Sequence, residues 1–321
     1  MISGVGPYLL TVHAGVDRAC YGPCMVDAGA ETNPFALAGA GEPCSGWHDV
    51  NGCRLYAEVR GHGPAVLIIG AASDDAEMFR PIAERLTGST VVTYDPRGTL
   101  RSSRDGWPCG SAQHADDAGE LLRTLGLASP EPGAERRVNV FGASAGGIVA
   151  LQLGLRHPEL VRRVVVYEPG YFQHAESGRA LLARATDSAD RHLASHPGDW
   201  AGAMAAVTAG LIDAPESLEW YTARGKALAE NFVRGDLPLT AESVDSDALA
   251  GSAADIRFAC GGASAPVFRH IVDELAQMRG QPDPADFGWP GPRRPDVIEG
   301  AGHVVYFTPA PVAEYLRQQF A

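Results

Sequence analysis

From Trp47 onward the chain alternates short apolar runs with amphipathic stretches. HDVNGCRLYAEVRG reads as two strands joined at Asn51-Gly52, a dipeptide suited to the left-handed turn of a tight hairpin. AVLIIG (65–70) is a continuous apolar run, the pattern of a strand covered on both faces. Further strands are predicted at 91–95, 138–142, 161–168, 256–262 and 295–300. Between and after them, helical spacing of apolar positions marks 77–86, 114–126, 146–160, 266–280 and 309–320. The third of these must end near His157-Pro158, because the residue before a proline is pushed out of the α region. This alternation predicts an α/β fold, a mostly parallel central sheet with right-handed crossovers and helices on both faces.

Two regions break the rhythm. Residues 170–255 contain helix-like pieces (177–196, 199–211, 217–233) and no strand pattern. An all-helical insertion at this point would cap the C-terminal edge of the sheet, where open α/β sheets bind ligands. Residues 1–46 are rich in Gly, Ala and Pro without a sustained period, so a poorly ordered extension is expected. The expected organisation is thus an extension over 1–46, a core from 47–169 and 256–321, and a cap over 170–255.

Composition narrows the function classes. Apolar residues make up 45% of the 321, enough to exclude a chain disordered throughout. The net charge of −13, with no basic block, argues against a nucleic-acid binder, which needs a cationic face for phosphates. No run approaches the roughly 20 apolar residues of a membrane span. The N-terminus lacks a basic segment and is broken by Gly6-Pro7, so no secretory leader is expected. Six scattered cysteines read as reduced thiols in a cytoplasmic protein. Cys20-x-x-x-Cys24 has no second ligand pair at zinc spacing, so no metal or cofactor is expected. A small-molecule substrate is the expected partner, with oligomeric state left open. The 38 glycines and 23 prolines predict many turns.

The strongest local signal is Gly142-Ala143-Ser144-Ala145-Gly146, between the strand VNVF and a helix. G-x-S-x-G at a strand–turn–helix junction exposes a serine on a sharp turn, and its neighbours must be small because strand and helix approach closely. Ser144 is the candidate nucleophile. The plainer reading is an incidental serine in a glycine-rich helix start.

From about Trp47 to Ala321 the chain resembles the α/β-hydrolase superfamily in a bacterial capped form. YDPRGTLRSS (94–103) resembles the family's D-x-R-G-x-G-x-S segment, with Leu100 in place of the second glycine. GASAG matches the nucleophile turn, and RHPELVRRVVV is typical of the stretch between the fifth and sixth strands. Gly300-Ala301-Gly302-His303 matches the loop of the catalytic histidine.

The resemblance implies His303 as the base, since a serine hydroxyl needs a neighbouring imidazole to take its proton. The other histidines considered (His62, His157, His174, His192, His196, His270) fall in turns, helix ends or the cap. Many relatives place the triad acid after the seventh strand, but here that turn reads Cys260-Gly261-Gly262-Ala263-Ser264-Ala265, with no carboxylate. Glu168, closing the sixth strand, is the favoured acid, as in members that use that position, and it keeps the order Ser, acid, His. A Ser–His pair alone, or a distant acid such as Asp273, remains open. The oxyanion donors are expected to be the N–H groups of Ala145 and of Ala72, in the loop after the third strand. Asp95 and Arg97 read as braces, and Asp116 and Asp117 as acids opening a helix. Tyr171, Phe172, Trp200, Trp220, Tyr221 and Phe232, with Tyr306 and Phe307, either line a pocket or pack the cap. The leading reading is a cofactor-independent serine hydrolase of esters or lactones. A non-hydrolytic member (cyclase or lyase) and a silent binding protein are the alternatives.

Overall fold

The computed structural model describes residues 43–131, 136–209, 219–280 and 293–321. The expected extension lies outside the described residues except for its last few. Those few are not loose: the first strand starts at Cys44, three residues before the expected boundary.

Eight strands form one sheet: β1 (Cys44–Val50), β2 (Cys53–Gly61), β3 (Ala65–Ile69), β4 (Thr90–Tyr94), β5 (Val138–Ala143), β6 (Val161–Tyr167), β7 (Asp255–Gly261) and β8 (Asp296–Ile298). Their order is β1-β2-β4-β3-β5-β6-β7-β8. Only the β1–β2 and β2–β4 pairs are antiparallel. The β1–β2 hairpin turns at Asn51 and Gly52, with φ of 45° and 74°, which explains the Asn-Gly pair.

Alternation along a strand sorts side chains to two faces. Leu67 and Ile69 join one apolar cluster, with α2 (Ser111–Thr124), α3 (Ala145–Arg156) and α9 (Pro266–Arg279). Val66 and Ile68 join the other, with α1 (Arg80–Ala83) and α10 (Pro309–Phe320). The helix expected over 77–86 is reduced to the single turn α1, which has a proline in its first turn. Helix α2 begins at Ser111, so Asp116 and Asp117 lie inside it rather than at its start. Asp116 pairs with Arg156 and His157, and buried Asp117 pairs with Arg97.

Between β6 and β7 the described residues form helices and no strand. They are a 3-10 turn (Phe172–His174), α4 (Glu176–Ser195), α5 (Trp200–Thr208) and α6 (Glu219–Asn231). A π-turn (Phe232–Asp236) follows, continuing into α7 (Leu237–Leu239) and then α8 (Ser246–Gly251). Leu182, Ala185, Ala189, Ala203, Val207 and Leu237 pack into a small core of their own. Among the described residues no helix is long and apolar enough to cross a membrane. The expectation of six reduced thiols is corrected: Cys44 is disulfide-bonded, whereas Cys53, Cys109 and Cys260 are free.

Candidate active site

Ser144 stands alone between the end of β5 and the first residue of α3, with φ 55° and ψ −125°. A left-handed φ is costly for a residue with a Cβ and persists where the surroundings enforce it. The enforcement comes from packing. A Cβ on Gly146 would lie 2.2 Å from the Ile69 carbonyl oxygen, and one on Gly142 would lie 2.3 Å from that of Gly146. The Ser144 N–H donates to the Tyr167 carbonyl at 3.1 Å, tying the turn to β6.

The structure brings Ser144, His303 and Glu168 together. Ser144 Oγ is 3.1 Å from His303 Nε2, and His303 Nδ1 is 2.7 Å from Glu168 Oε2. The second Glu168 oxygen accepts the Gly261 N–H at 2.7 Å. The last residue of β7, opening the turn where an acid was missing from the sequence, thus supplies a backbone donor that fixes the acid of the neighbouring strand. Glu168 is fully buried and also left-handed, at φ 43°. The alternative acid, Asp273, pairs with Arg269 on α9, and Asp255 pairs with Arg163 and Arg257.

Two further residues position the imidazole. Phe268 of α9 stacks on it, ring centroids 3.8 Å apart and planes 10° apart. The Tyr167 hydroxyl donates to the Gly302 carbonyl at 2.8 Å, holding the loop that carries His303. Neither was singled out from sequence. The Tyr167 side chain is set only by strand alternation, and Phe268 only by where α9 crosses the strand ends.

The loop after β3 departs from the expected oxyanion site. Ala72 N–H, the expected donor, is already engaged: it donates to Asp236 Oδ1 at 2.6 Å. Ser73 N–H donates to Asp236 Oδ2 at 2.9 Å. Ala145 N–H heads α3, where the helix itself provides no acceptor. Asp236 belongs to the π-turn of the insertion and is buried. Desolvation pushes its carboxyl up to about 7, against the lowering effect of its Ser73 and Ala72 hydrogen bonds. Burial likewise pushes Asp74 up to about 6, although Ala71 N–H and the Tyr306 hydroxyl both donate to it.

A cavity opens on Ser144 and His303, walled by Phe79, Phe172, Phe232, Leu237 and other apolar side chains. Among the described residues, the titratable groups on its wall are Asp74, Asp236, His303 and the Tyr306 phenol, with no Lys or Arg. Of the aromatics named from sequence, Phe172, Phe232 and Tyr306 face this cavity. Tyr171 is instead buried beneath, bonded to Gln152, and Phe307 packs on Tyr306. Trp200 is not on the cavity wall, and the side chains of Trp220 and Tyr221 lie outside the described residues. No group of His, Cys, Asp and Glu able to hold a metal ion occurs among the described residues.

The family model described as "alpha/beta hydrolase fold" matches residues 64–310. The chain belongs to the α/β-hydrolase family. It is 35% identical over 130 residues to an uncharacterised hydrolase, YraK, of Bacillus subtilis, a match covering 39% of this chain and 44% of that protein. The chain therefore spans less than half the length of that curated relative. Among solved structures, a thermophilic esterase from Thermogutta terrifontis superposes with a TM-score of 0.63 at 17% identity, over 86% of this chain and 97% of that one. Est816, described as an N-acyl homoserine lactone degrading enzyme, gives 0.62 at 20% identity, over 85% and 99%. These likenesses concern the fold.

Within the α/β-hydrolase frame, the segment after β4 braces the site from below. Asp95 accepts Ala76 N–H at 2.9 Å and pairs with Arg101. Arg97 grips Asp117 through Nε and a terminal nitrogen, both at 2.8 Å, and donates to the Asn51 carbonyl. Leu100, standing where the family pattern has glycine, is held at φ 32° and is 47% exposed. The glycine preference at this point is conformational, and the leucine bears it as strain.

Proposed function

We propose that the protein is a serine hydrolase that cleaves an ester or lactone through an acyl-enzyme. The observation that carries the reading is the unbroken hydrogen-bond chain Ser144–His303–Glu168 at the floor of an apolar cavity. Ser144 Oγ attacks the substrate carbonyl carbon while His303 Nε2 takes the hydroxyl proton. Glu168 holds the imidazole in the tautomer that leaves Nε2 free and stabilises the imidazolium. The Ala145 N–H receives the developing oxyanion, and removal of one such donor typically costs about 3 kcal/mol of barrier. Collapse breaks the C–O bond, and His303 returns its proton to the leaving alcohol oxygen. Water, deprotonated by His303, then attacks the acyl carbon and releases the acid and free Ser144. A largely apolar cavity wall with no cationic side chain among its described residues suits an uncharged acyl or alkyl group better than a carboxylate-bearing one.

Labelling with a fluorophosphonate followed by peptide mapping should place the adduct on Ser144, and short p-nitrophenyl esters should be turned over. No adduct on the wild type, or undiminished turnover by Ser144→Ala, would falsify this reading. A second reading, a non-hydrolytic enzyme, is favoured by one observation, the engagement of Ala72 N–H by Asp236. A trapped acyl-Ser144 in a single-turnover experiment separates the two.

A further inference from the structure

We infer that Asp236, carried by the insertion between β6 and β7, is a gate on the oxyanion site. Its carboxyl occupies the backbone donors of the β3 loop in the resting enzyme and must yield them before acyl chemistry proceeds. The inference rests on the proposed hydrolase reading and adds a condition to it.

Three observations converge. Asp236 Oδ1 lies 2.6 Å from Ala72 N and Oδ2 lies 2.9 Å from Ser73 N, with the Ser73 hydroxyl as a further donor. The family resemblance implies that the β3-loop N–H points to the spot where the oxyanion forms, and Asp236 lines the same cavity as Ser144 and Ala145, so we place the carboxyl where that oxygen would stand. A single donor cannot serve both, and a second anion beside a developing oxyanion raises the barrier.

The contact is also built rather than incidental. The π-turn brings Gly235 so close to the loop that a Cβ there would meet the Ala72 Cβ at 2.9 Å. Asn231, just before the turn, donates to the Gly98 carbonyl at 3.0 Å and docks the segment on the strand β4 side. Single-turn π-segments within helical stretches recur at functional sites.

Finally, the charge around Asp236 favours release. Asp74 on the same loop is a like charge that raises its affinity for a proton, in addition to desolvation. Asp75 is neutralised by Arg224 of α6, Arg234 and Arg104 pair with Glu230, and Asp95 pairs with Arg101. Across the cavity, His303 is committed to Glu168. The Tyr306 hydroxyl on the same wall donates to Asp74, and among these described groups each cation is paired with another acid. With its carboxyl pushed up to about 7, protonation near neutrality turns a charge-assisted acceptor into a weaker neutral one. The donors then become free for substrate.

The test is the pH dependence of kcat/KM for a short p-nitrophenyl ester in the wild type and Asp236→Ala. Wild-type kcat/KM should fall above about pH 7, approaching tenfold per pH unit, as the gate ionises. Asp236→Ala should lack this limb and exceed wild type at pH 9 by about tenfold or more. Gly235→Ala keeps the carboxyl but wedges the segment off Ala72. It should weaken the alkaline limb, which covers the case in which Asp236→Ala does not fold. An unchanged alkaline limb in these folded variants overturns the gate. So does an Asp236→Ala enzyme slower than wild type at every pH, because the carboxyl would then be needed rather than obstructive. Either result with Ser144-dependent turnover sinks the gate alone; turnover independent of Ser144 sinks the hydrolase reading beneath it.

Discussion

Glu168 combines a left-handed backbone, complete burial and two short hydrogen bonds, one to Gly261 N–H and one to His303. Its replacement by Gln keeps the size but offers His303 an N–H or a neutral oxygen, so the useful tautomer is lost. Glu168→Gln should lower kcat by about 10³–10⁴ with a native circular dichroism spectrum. A loss below tenfold would remove Glu168 from the proposed triad. Phe268 stacks on His303, which restricts the ring's tilt, and also lines the cavity. Phe268→Ala should lower kcat more than it changes KM, with Phe268→Tyr restoring most of the loss; equal effects on both parameters would assign Phe268 to substrate binding. The buried acids also set a stability trend. Asp236 binds its proton up to about pH 7 when folded, against an ordinary value of 3.8 when unfolded. Between those values the folded chain holds more protons, so this group's contribution to stability falls as pH rises. Asp236→Asn should gain melting temperature relative to wild type at pH 7.5 compared with pH 4.5. A difference between the two proteins that does not vary with pH would refute the sign.

At the scale of elements, the strand–serine–helix turn is legible because its requirements are local. Gly142 and Gly146 sit where a Cβ would strike backbone, and sequence spacing alone marks that junction. Gly146→Ala should unfold at markedly lower temperature, since the Ile69 carbonyl oxygen cannot retreat from the centre of the sheet. A variant melting within about 2 °C of wild type would contradict the packing argument. Leu100 is the converse case. Glycine there relieves the positive φ at the expense of a more flexible unfolded chain, so Leu100→Gly should be neutral or stabilising, whereas Leu100→Val should destabilise by about 1 kcal/mol or more in urea melts. The succession of strands along the chain, the hairpin and the sharp turn at Ser144 are read from period and motif, whereas Glu168 and His303 come from the family resemblance. The helix over 77–86 was not, because its apolar spacing serves a turn-rich segment with only one regular helical turn. The start of α2 was missed because Asp116 and Asp117 follow tertiary partners rather than the helix dipole.

Across the whole molecule, what sequence could not supply was any contact between the insertion and the sheet. Asp236 and Ala72 are 164 residues apart, and nothing in either neighbourhood marks the other. The cavity follows the same logic, joining residues of the β3 loop, α4, α5, the π-turn, α9 and the loop after β8. Such a site exists only when every one of these pieces is docked. Its weakest support is β8, a three-residue strand paired, among the described residues, on one side only, from which the chain runs directly into the loop of His303. Edge elements with few pairings open at lower free energy than the sheet centre. Catalysis should therefore act as a fraying gauge. Under rising urea, turnover of a p-nitrophenyl ester by the proposed hydrolase should vanish before helical ellipticity does, and hydrogen exchange at Val297 and Ile298 should track the first event. Coincident transitions would mean that the edge and the centre melt as one unit.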